Sequence, residues 1–199
     1  MSTGGCVLAA GASRRMRTPK ATLAVAADSG LADAQVALLD TAGCQPVVLV
    51  LGADAEKIRP HLRTRQVVVN PDWAEGRLTS VQAGLRALHE VAPAASGYLL
   101  LPVDTAFVQP STVRKLLDVA AAGTATVLRP SFAGVPGYLV WLARTVAAEL
   151  LAGTWPPDTP VNEILAEQTT LLPVPDPAIL HNANTPEEWQ QLRRRADQQ

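Results

Sequence analysis

The sequence is poor in residues that support thiol or zinc chemistry. Only two of its 199 residues are cysteines, and neither Cys6 nor Cys44 lies in a CxxC or cysteine–histidine motif. Zinc centres need several such ligands at short spacing, so a zinc site is disfavoured. Low cysteine content also fits a reducing compartment, and we therefore expect a cytoplasmic protein.

An excess of one charge and long apolar runs are also missing. Lys and Arg number 17 against 18 Asp and Glu, which gives a formal net charge of −1. A chain this close to neutral lacks the broad basic surface of a general nucleic-acid-binding protein. No apolar stretch approaches the roughly twenty residues of a membrane span, and no signal-peptide pattern is present. We expect neither nucleic acid nor a membrane as a partner.

Short apolar runs closed by turn residues predict strands that are buried on both faces of a sheet. These runs are residues 6–10, 46–51 and 98–103, and a further strand is predicted at 66–70. Each has the length and the apolar continuity of a parallel strand rather than of a helix.

Helices are predicted between these strands, at residues 31–42, 80–91 and 111–122, with Ser111 as the N-cap of the third. Their apolar residues recur at spacings of three and four, so one face of each packs on a sheet. This alternation predicts an α/β fold: a single three-layer domain over residues 1–199, with a mostly parallel, Rossmann-like sheet flanked by helices. Prolines interrupt the region around 153–178, which we expect to be irregular.

The segment after the first predicted strand combines a small-residue turn with a cluster of cations. Gly11, Ala12 and Ser13 are small enough for backbone N–H groups to approach an anion closely. Four positive side chains follow within one loop: Arg14, Arg15, Arg17 and Lys20. Donors and charge together are typical of a triphosphate site. A solvated basic turn is the alternative that these residues leave open.

Asp104 directly follows the apolar run 98–103, at the predicted carboxyl end of a buried strand. In a parallel sheet the same edge also carries residues 11–20, so the two segments are expected to lie together. A carboxylate held rigidly there suits magnesium, which prefers carboxylate and phosphate oxygens. The structural alternative is an aspartate that caps the turn before Pro110.

Residues 8–20, LAAGASRRMRTPK, resemble the LAAGxSxRMGxPK signature of nucleotidyltransferases related to the molybdenum cofactor cytidylyltransferases. The matching residues are Leu8, Ala9, Ala10, Gly11, Ser13, Arg15, Met16, Pro19 and Lys20. Arg17 departs from the signature, because it stands where the family has glycine.

Three later segments resemble the same family. Residues 101–104, LPVD, are similar to its strand end with a magnesium-binding aspartate, and residues 70–76, NPDWAEG, are similar to its NPxWxxG segment. Residues 181–189, HNANTPEEW, are similar to its closing (D/N)x(D/N)TPED segment. The TPEE part also reads as a capping box with proline at the first helical position, which explains those four residues structurally.

The resemblance implies a set of site residues. Arg15, Lys20 and Asp104 are implied as catalytic residues, with the two cations balancing phosphate charge and the carboxylate holding Mg²⁺. An amide of Asn182 or Asn184 would complete the metal shell, and we assign Asn184 to it. The implied nucleotide-binding residues are Leu8, Ala9, Ala10, Gly11, Ser13, Arg15, Lys20, Asn70, Gly76, Thr79 and Ser80.

The resemblance also implies a reaction, the transfer of a nucleoside monophosphate from an NTP to a phosphorylated acceptor with release of pyrophosphate. The LAAG and PK forms resemble the cytidine-transferring members, so CTP is the expected donor. Molybdopterin, in molybdenum cofactor maturation, is the expected acceptor, and a molybdenum enzyme is a candidate recipient of the product. Tyr138 and Leu139 replace a family histidine and proline. This departure keeps a sugar phosphate or alcohol phosphate open as the acceptor.

The rival hypothesis is a non-catalytic homologue that binds nucleotide or cofactor as a delivery or regulatory partner. Arg17 supports it, because a side chain is unfavourable by roughly 1 kcal/mol or more at a position that requires positive φ. Retention of Arg15, Lys20 and Asp104 together favours catalysis.

Overall fold

A mostly parallel sheet lies at the centre of the computed structural model, which describes residues 2–26, 29–64 and 66–197. The strands, in chain order, are β1 (Thr3–Ala9), β2 (Ala24–Ala26), β3 (Ser29–Gly30), β4 (Cys44–Leu51), β5 (Val67–Val69), β6 (Gly97–Pro102), β7 (Val127–Phe132), β8 (Val135–Pro136), β9 (Val140–Ala143) and β10 (Thr169–Pro173). The four strands predicted from apolar runs are confirmed as β1, β4, β5 and β6, with slightly different bounds.

The described part of the main sheet has the strand order β10-β7-β9-β6-β1-β4-β5, with β8 beside β7. β1 pairs in parallel with both β4 and β6, and β10 pairs in parallel with β7. β9 is antiparallel to β6 and β7. The carboxyl ends of β1, β4, β6 and β7 therefore share one edge of the sheet, and the loops that leave these ends form one surface.

The helices are α1 (Leu31–Ala42), α2 (Ala55–Ile58), α3 (Arg77–Val91), α4 (Pro110–Ala121), α5 (Arg144–Ala152), α6 (Val161–Ile164) and α7 (Pro186–Ala196). Short 3₁₀ turns lie at Lys20–Thr22, Arg59–His61, Ala166–Gln168 and Pro177–Leu180. The helix predicted at 31–42 has the observed bounds. None of the helices in the described residues is both long and apolar enough to cross a membrane.

Ser111 is not the N-cap of α4, so that prediction is wrong. The helix begins at Pro110 with Gln109 as its N-cap, because proline has a φ suited to the first helical position and needs no N–H partner there. The buried carboxylate of Asp176 accepts hydrogen bonds from Gln109 N at 2.9 Å and from Thr112 Oγ1 at 2.7 Å. A residue distant in sequence thus supplies the polar partners at this helix start.

Helices cover both faces of the sheet and enclose two apolar clusters. One cluster lies under α1, α4 and α7, and the other lies under α3 and α5. Successive strand residues alternate between them: Cys6 belongs to one and Val7 to the other, as the pleat of a strand requires. This arrangement confirms the predicted α/β fold class with a mostly parallel sheet between helices. The assignment of residues 1–199 to one domain stays a prediction.

The proline-rich region around 153–178 contains short pieces and one strand that the sequence analysis did not predict. It contributes β10 to the edge of the main sheet, paired with β7. Pro157 lies against the start of α3, where its carbonyl accepts a hydrogen bond from Leu78 N at 3.2 Å. A Cβ on Gly76 would lie 2.0 Å from that carbonyl oxygen, so glycine is required there by close approach of the backbone.

Candidate functional site

Three side chains from distant parts of the chain meet at the carboxyl edge of the sheet. The Lys20 ammonium donates to Asp104 Oδ2 at 2.6 Å and to Asn184 Oδ1 at 2.9 Å. The Lys20 side chain is 13% exposed and that of Asp104 is 20% exposed. The pair is thus partly shielded from water, so its attraction is screened less than that of a surface ion pair. We call these three residues the cation junction.

Asp104 reaches the junction because β6 ends just before it. Val103 N donates to Leu8 O on the neighbouring strand at 3.0 Å, which continues the sheet pairing to the last residue before the carboxylate. Thr105 N then closes a turn onto Pro102 O at 3.1 Å. The carboxylate is therefore held at the end of a rigid strand, as the sequence predicted.

The structure distinguishes the two candidate amides. Asn182 Oδ1 accepts a hydrogen bond from Thr105 Oγ1 at 2.9 Å, so it holds the loop beside Asp104. Ala183 N donates to Asp104 O at 3.0 Å, which fastens the two segments through the backbone. Asn184 is the residue whose side-chain oxygen contacts Lys20. Asn184 therefore lies beside Asp104 at the junction, and its assignment as a metal ligand stays a prediction.

The start of α7 fixes Asn184 in turn. Thr185 is the N-cap of that helix, and it forms the predicted capping box with Glu188. The Glu188 carboxylate also accepts a hydrogen bond from Asn184 N at 2.7 Å. The capping box thereby also fixes the backbone of Asn184, a residue of the cation junction.

The loop that carries Lys20 is sharply bent. Ser13 has a φ of 48° and Arg17 a φ of 58°, both in the left-handed region that glycine tolerates best. Ser13 O accepts hydrogen bonds from Met16 N and Arg17 N, and Ser13 Oγ accepts one from Lys20 N at 3.1 Å. Met16, only 3% exposed, anchors the loop in the core. The positive φ that the glycine slot suggested is therefore present, although arginine occupies it.

The three arginines of this loop differ from Lys20 in their exposure and contacts. Arg14, Arg15 and Arg17 are exposed, and none of their side chains has a hydrogen bond or ion pair within residues 2–26, 29–64 and 66–197. Arg15, which the resemblance implied as a catalytic residue alongside Lys20, is not part of the cation junction, and its role stays a prediction. A Cβ placed on Gly11 would meet no atom within 4 Å, so the turn before the arginines is open.

The preceding residues fix this turn to the sheet. Leu8 and Ala9 belong to β1, and Ala10 O accepts a hydrogen bond from Ala53 N at 2.9 Å. A Cβ on Gly52 would lie 2.7 Å from that carbonyl oxygen. The end of β4 therefore packs directly against the base of the loop.

A second polar cluster lies between β5 and α3. Asn70 Nδ2 donates to Thr79 Oγ1 at 2.8 Å and to Ser80 Oγ at 2.9 Å. Thr79 Oγ1 also lies within hydrogen-bond distance of Gly76 O, at 2.8 Å. The structure brings these predicted site residues together, but their polar groups form hydrogen bonds with one another. The described residues show no hydrogen bond between this cluster and the cation junction.

The segment that departs from the family pattern lies at the same edge of the sheet. Gly137 O accepts hydrogen bonds from the Arg129 guanidinium, and Tyr138 N donates to Ile179 O at 3.1 Å. Tyr138 is 43% exposed. Its aromatic ring is thus available to a ligand, while the backbone around it is fixed.

Gln35 is a site-supporting residue that the sequence analysis missed. Its buried amide on α1 donates to Val103 O at 3.2 Å and to Thr105 O at 2.7 Å. These carbonyls flank Asp104 on both sides. A glutamine on the apolar face of α1 was the available signal, because a buried amide needs hydrogen-bond partners. Sequence alone does not say which carbonyls those are.

Thiol chemistry is disfavoured at this site. Both cysteines are buried, and burial raises the pKa of Cys6 to about 12 and that of Cys44 to about 12, the nearby Asp40 charge adding to the second. Thiols with such pKa values stay protonated at neutral pH and are poor nucleophiles.

The geometry suits a polyanion together with one cation. Exposed arginines and an open turn supply charge and donors, and Asp104 with Asn184 supplies two oxygens. No group of three or more His, Cys, Asp or Glu side chains able to hold a metal is found in the described chain. A carboxylate and an amide are enough for a magnesium-type ion whose other ligands are water and phosphate oxygens.

A family model and several solved structures match this chain. The family model described as the MobA-like NTP transferase domain matches residues 5–171, a range that includes Lys20 and Asp104 and stops before Asn184. Rv0371c from Mycobacterium tuberculosis H37Rv is 27% identical and superposes with a TM-score of 0.81, covering 98% of this chain and 99% of that one. A manganese complex of Rv0371C has a TM-score of 0.74 at 26% identity, with 98% and 99% coverage.

Two curated relatives carry different names. A nicotine blue oxidoreductase from Paenarthrobacter nicotinovorans is 38% identical over 116 residues, which cover 57% of this chain and 54% of the relative. A probable molybdenum cofactor guanylyltransferase from Opitutus terrae is 34% identical over 125 residues, which cover 63% and 59%. The matched segments span little more than half the length of these relatives.

Replacing Arg17 by glycine should raise the free energy of unfolding by about 1 kcal/mol, because glycine adopts positive φ without a Cβ penalty. Equilibrium urea unfolding measures the change. Arg14→Gly is the matched control: it removes an exposed arginine of the same loop that lacks positive φ, so it should lower stability through the entropy of the unfolded chain. Equal effects of the two substitutions would contradict this account of the loop.

Replacing Gln35 by leucine should lower the free energy of unfolding by about 1–3 kcal/mol, because two buried carbonyls lose their donor. Gln82→Leu removes a single hydrogen bond, from Gln82 Nε2 to Leu150 O at 3.0 Å, and should cost less. Thermal unfolding of both variants tests the difference. If Gln35→Leu costs no more than Gln82→Leu, then Gln35 does not hold the Asp104 loop.

Proposed function

Because the chain belongs to the MobA-like NTP transferase family, we propose that it transfers a nucleoside monophosphate from an NTP to a phosphorylated acceptor and releases pyrophosphate. The observation that carries this proposal is the cation junction beside an open basic turn, at the carboxyl edge of the sheet. Ligands of parallel α/β sheets bind at this edge. The acceptor's phosphate oxygen would attack the α-phosphorus as pyrophosphate leaves.

The basic loop is proposed to bind the triphosphate. Gly11 and Ser13 leave room for phosphate oxygens near backbone N–H groups, and the exposed Arg15 adds charge. Arg14 and Arg17 extend the same positive surface. In phosphoryl-type transfer the protein contributes mainly by positioning reactants and by neutralising charge, rather than by covalent chemistry.

Asp104 and Asn184 are the proposed ligands of a divalent cation. They fit that role because both oxygens already converge on one positive group, the Lys20 ammonium, and their chemistry is the kind that magnesium prefers. The bound ion would act as a Lewis acid that stabilises charge on phosphate oxygens. The manganese complex of Rv0371C supports a divalent cation, and Mg²⁺ is our proposal for this chain.

The Asn70 cluster is proposed to shape the nucleoside side of the site. Its carboxamide orients the Thr79 and Ser80 hydroxyls, and Gly76 allows the chain to pass close to the start of α3. Because these groups already form hydrogen bonds within the cluster, they would shape the wall of the site rather than donate to the ligand. Their proposed role is therefore to position the backbone near the base.

CTP and molybdopterin remain our proposed substrates, in molybdenum cofactor maturation. The LAAG and PK forms favour cytidine, whereas the relative named as a guanylyltransferase favours GTP. Both nucleotides carry the same triphosphate, so the basic loop does not choose between them. Exposed Tyr138 replaces the family histidine on the acceptor side, which keeps a sugar phosphate as the alternative acceptor. A molybdenum enzyme is the proposed recipient of the product.

An oxidoreductase is the second candidate function, and it rests on the 38% identity to the protein named nicotine blue oxidoreductase. A dinucleotide cofactor carries a pyrophosphate that the same loop could bind. The non-catalytic alternative rests on Arg17, whose φ of 58° strains the loop. If strain limits catalysis, Arg17→Gly should raise turnover. A large loss of turnover would instead indicate that Arg17 is a phosphate ligand.

Thermal unfolding with CTP, GTP, ATP or UTP, each with and without Mg²⁺, tests nucleotide binding. A ligand at about a hundred times its dissociation constant stabilises the folded protein by about 2.7 kcal/mol, so the donor should raise the melting temperature by several degrees. We expect the largest shift with CTP and Mg²⁺. An increase in melting temperature with GTP alone would indicate that GTP, rather than CTP, is the donor. A shift with NADH or NADPH and none with any NTP would favour the oxidoreductase.

Replacing Asp104 by alanine should lower turnover by about 10²–10³-fold, by analogy with the removal of one group that stabilises a transition state. Release of pyrophosphate, measured with the nucleotide that shifts unfolding most, gives the rate. Asp118→Ala is the control, because Asp118 is exposed on α4 near Thr3 at the opposite edge of the sheet. Unchanged turnover and metal dependence in the Asp104 variant would remove Asp104 from the site.

A further inference from the structure

The Lys20 ammonium contacts the same two oxygens that we assign to the divalent cation. It lies 2.6 Å from Asp104 Oδ2 and 2.9 Å from Asn184 Oδ1. We propose that Lys20 is a built-in cation, which holds the metal position until the phosphates of an incoming nucleotide draw the ammonium away. This inference rests on the proposed function in one respect, since it takes Asp104 and Asn184 as metal ligands.

Two cations cannot share this position favourably. Repulsion between like charges grows as the dielectric constant falls, and the Lys20 and Asp104 side chains are only 13% and 20% exposed. A divalent cation would also need the oxygen lone pairs that now accept from the ammonium. In the proposed exchange the metal takes the positions on Asp104 Oδ2 and Asn184 Oδ1 that the ammonium now holds, and the Lys20 side chain leaves both oxygens.

The backbone around Lys20 allows such a movement of the side chain alone. Lys20 N is held by Ser13 Oγ at 3.1 Å, and Leu23 N donates to Lys20 O at 3.1 Å. The 3₁₀ turn that carries the residue is thus fixed on both sides. A lysine side chain is a flexible four-carbon stem with a compact charge at its end. Its new partner would be the triphosphate bound by the same loop.

Metal and nucleotide should consequently strengthen each other's binding. A nucleotide that takes the ammonium uncovers the two oxygens, and a metal bound there leaves the ammonium available to phosphate. Because coupling between two ligands is reciprocal, each should raise the affinity of the other by the same factor. The free metal alone should bind weakly, since it must displace Lys20 without a new partner for the charge.

The test measures Mn²⁺ alone, without nucleotide, from the electron paramagnetic resonance signal of the free ion. Lys20→Met removes the charge and keeps a long side chain. This variant should bind Mn²⁺ more tightly, with a dissociation constant about tenfold or more below that of the unaltered protein. Lys20→Arg keeps the charge and should bind Mn²⁺ as weakly as the unaltered protein. The double variant Lys20→Met/Asp104→Asn should lose the gain.

Lys57→Met is the matched control. Lys57 also pairs with an aspartate, Asp54, at 2.7 Å, but its side chain is 79% exposed, so its loss should leave Mn²⁺ binding unchanged. Circular dichroism checks that each variant is folded, and Lys20→Gln replaces Lys20→Met if the methionine variant unfolds. Equal Mn²⁺ affinity with and without Lys20 would overturn the proposal. So would a gain that survives the Asp104→Asn change, because the ion would then bind elsewhere.

The metal titration separates this proposal from the proposed function. If Lys20→Met gains affinity through Asp104 while the unaltered protein turns over no NTP, the lysine–metal exchange stands and the transferase proposal fails. If the unaltered protein turns over an NTP but Mn²⁺ affinity is the same with and without Lys20, the proposed lysine–metal exchange is wrong and the transferase proposal stands.

Discussion

The contact of one ammonium with a carboxylate and an amide joins three distant segments at the carboxyl edge of the sheet. Lys20 and Asp104 are 84 residues apart, and Lys20 and Asn184 are 164 apart. The contact joins the loop after β1, the loop after β6 and the segment before α7. Removing one member of a shielded ion pair leaves an uncompensated charge, so Lys20 and Asp104 stabilise each other's position. The surrounding hydrogen bonds hold the same segments: Gln35 donates to the carbonyls beside Asp104, the Thr105 hydroxyl donates to the Asn182 side chain, and the Glu188 carboxylate accepts from Asn184 N.

The elements that follow from local pattern could be predicted from the sequence. Apolar runs located β1, β4, β5 and β6, and spacing gave the bounds of α1. The capping box at Thr185 was readable because all its members lie within four residues. The cation-rich loop and Asp104 were predicted to meet because parallel strands place their carboxyl ends together. These successes share one cause: each depends on neighbours in sequence or on a general rule of topology.

What escaped prediction depends on partners that are distant in the chain. β10 lies among prolines, and its pairing with β7 decides that it is a strand. The cap of α4 shifts from Ser111 to Gln109 because Asp176 supplies hydrogen bonds from far away. Gln35 matters only because α1 crosses beneath the carbonyls beside Asp104. Lys20 was expected to face phosphate, and no local signal shows that its first partner is the carboxylate. The roles of the individual site residues stay predictions.

The spread of the junction along the chain has a consequence for protein synthesis. A ribosome makes the N-terminal parts first, at roughly 5–20 residues per second, so Lys20 and Asp104 emerge several seconds before Asn184. The amide that completes the junction is absent until residue 184 has been translated. Translation order therefore delays the finished site, and a chain released early by a premature stop codon before residue 184 would carry the basic loop and the carboxylate without their third partner.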